Sequence, residues 1–252
     1  MSLLERLQRS LGEIAELDRE RVRVSPFTAY IDRERPLKYF SFALPDPGAS
    51  AEGSLDALVG AFAERERGAR IEHVEELNPG LRDELEAAGW SLSERMPVMT
   101  CAAEELLVPA APDGMVVERI GADAPDPLVR AFLAAQKTAF EDPYDVQDAD
   151  VSKLRGMAAV GPVYAGLIEG DVVATGLASR AAGGVAEVAG VSTLPAFRRR
   201  GIAGTLTAVC AAAAFEAGAE LAWLTAADES AARIYGRAGF HLAGTMWAYD
   251  AP

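Results

Sequence analysis

The chain has 252 residues, half of them apolar and a quarter charged, which is room for one large domain or two small ones in an ordinary folded protein. Acidic residues number 38 against 24 basic ones, a formal net charge of −14 shared by both halves. No basic half exists to follow a phosphate backbone, so non-specific nucleic-acid binding is excluded and a cationic, amine-bearing partner is favoured. Cys101 and Cys210 cannot make a disulfide framework and fit a reducing compartment. His73 and His241 stand far apart with no metal-ligand spacing, so neither a metal site nor a Ser-His-Asp triad is expected.

Charges recur through the first twenty residues, unlike a secretory leader. The longest uncharged run, Gly201 to Phe215, is too short for a bilayer. A cytoplasmic protein without membrane contact, monomeric or homodimeric, is the expectation. Leu3, Leu4, Leu7, Leu11 and Ile14 recur at helical spacing and predict an amphipathic helix over 2–20. β-like runs follow at Val22–Ile31 and Leu37–Leu44, then a Pro/Gly/Ser loop. A helix is predicted at Leu55–Arg67, a strand at Ala69–Glu75, a short helix at Gly80–Ala88 and a strand at Ser91–Cys101.

Leu107 to Gly114 reads as a linker, with two prolines and a glycine in eight residues. Beyond it come an apolar run at Met115–Ile120, helices at Asp126–Phe140 and Asp148–Ala158, and a hairpin of 163–168 and 172–179 turning at Glu169-Gly170-Asp171. A run at Gly184–Thr193, a helix at 201–217, a strand at 219–225, a helix at 229–237 and a strand at Phe240–Tyr249 complete the order. Trp223, Trp247 and Met246 are assigned to sheet packing. The order β-α-α-β-β-β-α-β-α-β predicts an α/β fold around a mixed sheet.

An internal repeat is legible at an offset of 150 residues. Asn78, Leu81, Leu85 and Gly89-Trp90 stand at the same spacing as Asp228, Ala231, Tyr235 and Gly239-Phe240. Two halves are expected, 1–107 and 115–252. Leu85 takes the place of Tyr235, and the first half has no arginine cluster, so that copy reads as chemically unarmed.

The densest signal is VSTLPAFRRRGIAGTL, Val191 to Leu206. A strand runs through a proline turn into three arginines, and Gly201 and Ala203 open an apolar helix. Free N–H groups and the positive dipole end at such a helix start favour an anion, and small residues let it approach the backbone. Arginine matches phosphate geometry. Neither a P-loop ending nor GxGxxG is present.

This segment resembles the central motif of the GNAT superfamily of acyl-CoA-dependent N-acetyltransferases, R/Q-x-x-G-x-G/A, met by Arg198, Gly201 and Ala203. The approach Val191-Ser192-Thr193-Leu194-Pro195 is similar to the family's strand ending. Ala231, Tyr235 and Gly239-Phe240 resemble its second motif, N-x-x-A-x-x-x-Y-x-x-x-G-F. The resemblance covers about 115–252 and rests on the repeat before that.

The resemblance implies a GNAT-like fold in two tandem halves, acetyl-CoA as co-substrate, and no metal. It implies that the backbone of Val191, Ser192 and Thr193 pairs with the pantetheine arm. Arg198, Arg199, Arg200, Gly201, Ile202, Ala203 and Gly204 would form the pyrophosphate cradle, with Asp228 and Ala231 completing the cofactor-facing set. Tyr235 looks like the general acid that protonates the departing thiolate. Asp228 replaces the family's asparagine; a carboxylate caps a helix but donates no hydrogen bond, which favours a cap over a contact with the cofactor.

Glu187 lies four residues before Val191, a spacing that puts both on one face of a regular strand, and its position resembles the catalytic glutamate of the histone-acetyltransferase branch. It is the candidate base for an amine whose own pKa is near ~10. The stretch Phe140 to Asp150 holds Glu141, Asp142, Asp145, Asp148, Asp150 and Tyr144. It reads either as a wall that draws in a cationic acceptor or as a solvated acidic loop with Asp148 capping the next helix. The expected activity is acetyl transfer to a small-molecule or peptide amine by direct attack. The alternatives are a CoA-binding sensor or scaffold that has lost catalysis and a nucleotide-binding module using the arginine cluster.

Overall fold

In the computed structural model, which describes residues 1–35 and 37–252, the chain opens with a capped helix. The Ser2 hydroxyl accepts from the Glu5 N–H, and the Glu5 carboxylate accepts from the Ser2 N–H, satisfying two otherwise orphaned donors. This helix, α1, runs Leu3–Ala15. The strands and helices that follow up to residue 102 are β1 (Glu20–Val24), β2 (Phe27–Ile31), β3 (Phe42–Pro45), α2 (Leu55–Ala63), β4 (Arg70–Val74), α3 (Leu81–Ala87) and β5 (Ser91–Ala102). After residue 114 come β6 (Met115–Arg119), α4 (Asp126–Ala139), α5 (Asp148–Val160), β7 (Val163–Ile168), β8 (Asp171–Ala178), β9 (Val185–Thr193), α6 (Ile202–Glu216), β10 (Leu221–Thr225), α7 (Glu229–Gly236) and β11 (His241–Asp250).

Four boundaries differ from the sequence reading. Helix α1 stops at Ala15 because the N–H groups of Leu17, Asp18 and Arg19 turn back onto Ile14 and Ala15 carbonyls. The run at Val22–Ile31 is a hairpin of β1 and β2 turning at Ser25-Pro26, where proline's missing N–H ends the strand. Lys38–Phe40 form a 3₁₀ turn ahead of β3. Helix α2 ends at Ala63, and Glu66, at φ +56°, turns the chain. The hairpin at Glu169-Gly170 is present, and both turn residues have positive φ, 53° and 90°, as a two-residue turn of twisted strands requires.

Two compact units result. The first holds Met1–Val98, Thr225–Asp228 and Leu242–Pro252; the second holds Met99–Leu224 and Glu229–His241. In the first, β1, β2 and β3 are antiparallel, and α2 crosses to β4, which is parallel to β3 with Ala43 opposite Ile71. Phe27, Ile31, Leu58, Phe62, Ile71, Leu81 and Leu85 pack on the face that carries α2 and α3. Tyr30, Phe42 and Leu44 pack with Ala15 of α1 on the other face.

The second unit repeats this plan. Antiparallel β6 to β9 are followed by a crossover through α6 to β10, parallel to β9. Val129, Phe132 and Leu133 of α4 and Val151 and Leu154 of α5 pack over Val163, Ala165 and Leu177 on one face. Ile202 and Leu206 of α6 cover Ala174 on the other. Each unit thus reads strand, crossover helix, parallel strand and short helix, then a glycine in the left-handed region and a buried aromatic: Gly89-Trp90 in one, Gly239-Phe240 in the other. Trp223 and Met246 are buried and Trp247 packs against the first unit's core, as sheet packing requires.

The closing strand of the first unit comes from the end of the sequence. β11 follows α7 but pairs antiparallel with β4, from Met246 opposite Val74 to Asp250 opposite Arg70. Arg70, 1% exposed, bonds Glu72, Glu94 and Asp250, joining β4, β5 and β11 around one guanidinium. Its charge is shared among three carboxylates, so it is buried without being unpaired.

Candidate functional site

β9 and β10 pair only at their beginnings. Leu221 lies opposite Val185, Ala222 opposite Ala186 and Trp223 opposite Glu187, and there the pairing stops while β9 runs on to Thr193. Past its end β10 leads elsewhere, since the Ala226 N–H donates to Pro97 O at 2.9 Å. The strands therefore splay, with Glu187 at the apex. At about 3.3 Å per residue, the free flank of β9 from Glu187 to Thr193 is roughly 20 Å long.

A bulge interrupts that flank. Thr175 of β8 lies opposite Ser192 and Leu177 opposite Ala189, so one intervening residue of β8 faces two of β9, Gly190 and Val191. Gly190 is in the left-handed region at φ +59°, the conformation such a bulge takes. Its carbonyl accepts from Thr175 Oγ1 at 2.9 Å and from Gln136 Nε2 of α4 at 3.4 Å. Thr175 Oγ1 also lies 2.7 Å from Ser192 Oγ.

The bulge overturns the shared face of Glu187 and Val191. Ala189, on the face of Glu187, packs with the α4 and α5 cluster. Val191 is on the opposite side: a methyl group on Gly176 would meet Val191 Cγ2 at 3.7 Å together with Leu206 and Cys210 of α6. The residue that shares Glu187's face across the bulge is Ser192, through its partner Thr175.

Beyond Thr193 a 3₁₀ turn, Pro195–Phe197, leads to the arginines, and each has a different setting. Arg198 donates Nε to Thr193 O at 3.1 Å and a terminal N–H to Ala139 O at 3.3 Å, tying the end of β9 to the end of α4. Arg199 is in the left-handed region at φ +65°. Arg200 stands over the Phe197 ring at 5.2 Å. Gly201, at φ +85° and with nothing near its missing side chain, opens α6. The first backbone bond of the helix runs from Thr205 N to Gly201 O, so the N–H groups of Ile202, Ala203 and Gly204 have no partner within it. Ile202 anchors this end in the core, and Gly204 lets Ile234 of α7 come close.

Tyr235 and Ala231 lie on α7, both half-buried. The Tyr235 carbonyl accepts from the N–H groups of Ala238 and Phe240, fixing the turn at Gly239. Gly239 is at φ +95°, and a side chain there would strike Glu105 O at 2.1 Å. Asp228 immediately precedes α7, is exposed, and belongs to the segment that clusters with the first unit.

Three of the five carboxylates of the acidic stretch are paired with cations of α4. Lys137 pairs with Asp142 at 2.9 Å and Asp150 at 3.4 Å, and Arg130 pairs with Asp148. Asp150, not Asp148, caps α5, accepting from the Gln147 N–H at 3.0 Å. Phe140 and Tyr144 are exposed in the same loop. Gln136 and Thr175 were not singled out by sequence, where one is a helical polar residue and the other a strand threonine. The isolated Gly190 inside an apolar run is the only local sign of the bulge they hold.

In the first unit the corresponding region is closed. The Pro45 carbonyl at the end of β3 is taken by Gln8 Nε2 at 2.7 Å. Asn78 Nδ2 donates to Asp46 O at 2.7 Å, and Gly48 N donates to Leu77 O at 2.9 Å, drawing the loop after β3 onto the segment after β4.

The splayed parallel pair, whose longer strand leads into a glycine-opened helix, stands where the GNAT resemblance places the cofactor, and the comparisons bear on that family. Residues 129–240 match the Acetyltransferase (GNAT) family model. A GCN5-related N-acetyltransferase from Kribbella flavida is 29% identical, with 100% of this chain and 96% of that chain covered and a TM-score of 0.81. A GCN5-related N-acetyltransferase from Sphaerobacter thermophilus, 18% identical, superposes at a TM-score of 0.64 over 90% of this chain and 76% of its own. A tandem GNAT protein from the clavulanic acid biosynthesis pathway, 16% identical, shares the fold at a TM-score of 0.60 over 90% of this chain and 79% of its own. No curated protein matches the chain. Residues 129–240 thus carry a GNAT acetyltransferase domain, the whole chain is similar to GCN5-related N-acetyltransferases, and it is an acyltransferase. Among the described residues no His, Cys, Asp and Glu cluster is grouped to hold a metal, and no helix is long and apolar enough to cross a membrane.

Proposed function

We propose that the chain moves an acetyl group from acetyl-CoA to a primary amine of a small molecule or peptide in the cytoplasm, by direct attack. The observation that carries this reading is the free flank of β9, which ends at unpaired N–H groups of α6 beside Arg199 and Arg200. These groups fit an extended arm with two amides ending in phosphates. The backbone of Val191, Ser192 and Thr193 would pair with the amides, and the segment from Arg198 to Gly204 would hold the phosphates. Ala231 would flank the same arm.

When bound, acetyl-CoA supplies the acetyl group as a thioester. Glu187, at the apex of the splay, would take the proton from the incoming amine directly or through water. Tyr235 would give a proton to the leaving sulfur. Asp228 fits a helix cap better than a contact with the cofactor. The domains under this reading are 1–107, an unarmed copy, and 115–252, the catalytic half. The closed loop after β3 supports that division of labour.

Two measurements test the reading. Acetyl-CoA at millimolar concentration should raise the melting temperature where ATP does not; equal shifts would favour a nucleotide-binding module. Thiol release over a panel of amines, amino acids, aminoglycosides and peptides should find turnover. Binding without turnover on any acceptor would favour a CoA sensor.

A further inference from the structure

The Gly190 carbonyl is held more firmly than strand packing demands. It accepts from two side chains on two different elements, Thr175 of β8 and Gln136 of α4, which uses both of its lone pairs. Thr175 is fully buried, in a place where valine would bury equal volume at no polar cost. Its single proton goes to Gly190, so at 2.7 Å the Ser192 hydroxyl is the donor to Thr175. The result is a directed relay, Ser192 to Thr175 to the Gly190 carbonyl, whose members polarise one another. Gln136 closes it from the other side. Its Nε2 lies 2.7 Å from where a side chain on Gly190 would begin, so a larger residue there would displace the Gln136 amide as well as strain the backbone at φ +59°.

We infer that Thr175 and Gln136 are positioning residues that fix the peptide plane between Gly190 and Val191. Taken with the proposed acetyl transfer, on which this rests, they aim the backbone at the bulge toward the thioester. A carbonyl that is held cannot rotate, and the N–H of the same peptide group is held with it. A donor set beforehand toward developing charge contributes more than one that must turn.

The test compares Thr175→Val, Thr175→Ser and Gln136→Leu. In the ligand-free protein, the amide resonances of Gly190 and Val191 should move and exchange faster in Thr175→Val and return in Thr175→Ser. With an acceptor in hand, kcat of Thr175→Val should fall about tenfold or more while the Kd of CoA stays within about twofold. Thr175→Ser should recover most of the rate, and Gln136→Leu should lose about threefold. Unchanged kcat, a serine variant as slow as the valine one, or a loss of CoA affinity that tracks the rate would overturn the inference. Should Thr175→Val not fold, Gln136→Leu carries the same split between kcat and Kd. If the wild type itself turns over no acceptor, the proposed activity fails. The amide shifts then decide alone whether the relay holds the bulge.

Discussion

Glu187 and Val191 stand four residues apart on one strand and face opposite sides of the sheet, because the bulge at Gly190 inserts one residue between them. Glu187 is also the last residue of β9 paired with β10. As the base of the proposed reaction it acts on an amine with a pKa near ~10, so it is needed most where free amine is scarce. Glu187→Gln should lower kcat/KM by about tenfold to a hundredfold near pH 7, with the deficit shrinking as pH rises toward 9. A loss equal at every pH would assign Glu187 to structure.

Tyr235 has its backbone carbonyl anchored by Ala238 and Phe240, so removing its hydroxyl leaves the turn intact. Tyr235→Phe should lower kcat by about tenfold or more with the Kd of CoA nearly unchanged. Unaltered turnover would remove its role as acid.

Arg198 spends its side chain on Thr193 O and Ala139 O. Arg198→Ala should therefore loosen the end of β9 and raise KM for acetyl-CoA roughly fivefold to tenfold. Arg198→Lys, a single point of charge in place of a fork, should recover only part of it. Full recovery by lysine would mean that charge, not geometry, is what the site uses.

His73 has no exposed surface, and burial depresses its pKa to about 4. The unfolded chain binds the proton from about 6.5 downward and the folded one only near 4, so stability falls as pH drops through that window. Between pH 7 and 4.5 this amounts to roughly 2 kcal/mol. Asp126 and Asp250, whose carboxyls are lowered by their arginine and lysine partners, contribute losses only at lower pH. Urea unfolding of His73→Phe at both pH values should show the gap shrink by about that amount. An unchanged gap would place its cause elsewhere.

The repeat offers a matched pair of glycines. Gly89 and Gly239 both have positive φ, but a side chain meets nothing at Gly89 and strikes the Glu105 carbonyl at Gly239. Gly89→Ala should cost about 1 kcal/mol of backbone strain, whereas Gly239→Ala should cost about 3 kcal/mol or more because backbone must move. Equal costs in thermal or urea unfolding would refute the contact.

The arginine-glycine segment, the helix it opens and the short helix of Tyr235 were readable because each has a strong local pattern: a proline turn, an apolar helical run, a glycine stop. The face of Glu187 was not, because alternation on a strand presumes regular pairing, and the inserted residue reveals itself only against its partner β8. The charges of the acidic loop were likewise legible as composition, but Lys137 and Arg130, which pair with three of them, come from α4. Pairing of β11 with β4 left no local trace, since both strands look complete in themselves.

That pairing sets an order of events during synthesis. On the ribosome β4 emerges early and can pair with β3, but its other partner, β11, emerges only after β5 to β10. Until then the first unit lacks Asp250 for its buried Arg70, and the edge of β4 away from β3 offers bare hydrogen-bonding groups to any passing strand. The second unit's strands from β6 to β10 lie between the two in sequence and can assemble meanwhile. The half that appears first is thus the last to close, and fusions or truncations that disturb residues 242–252 should compromise the unit made from the other end of the chain.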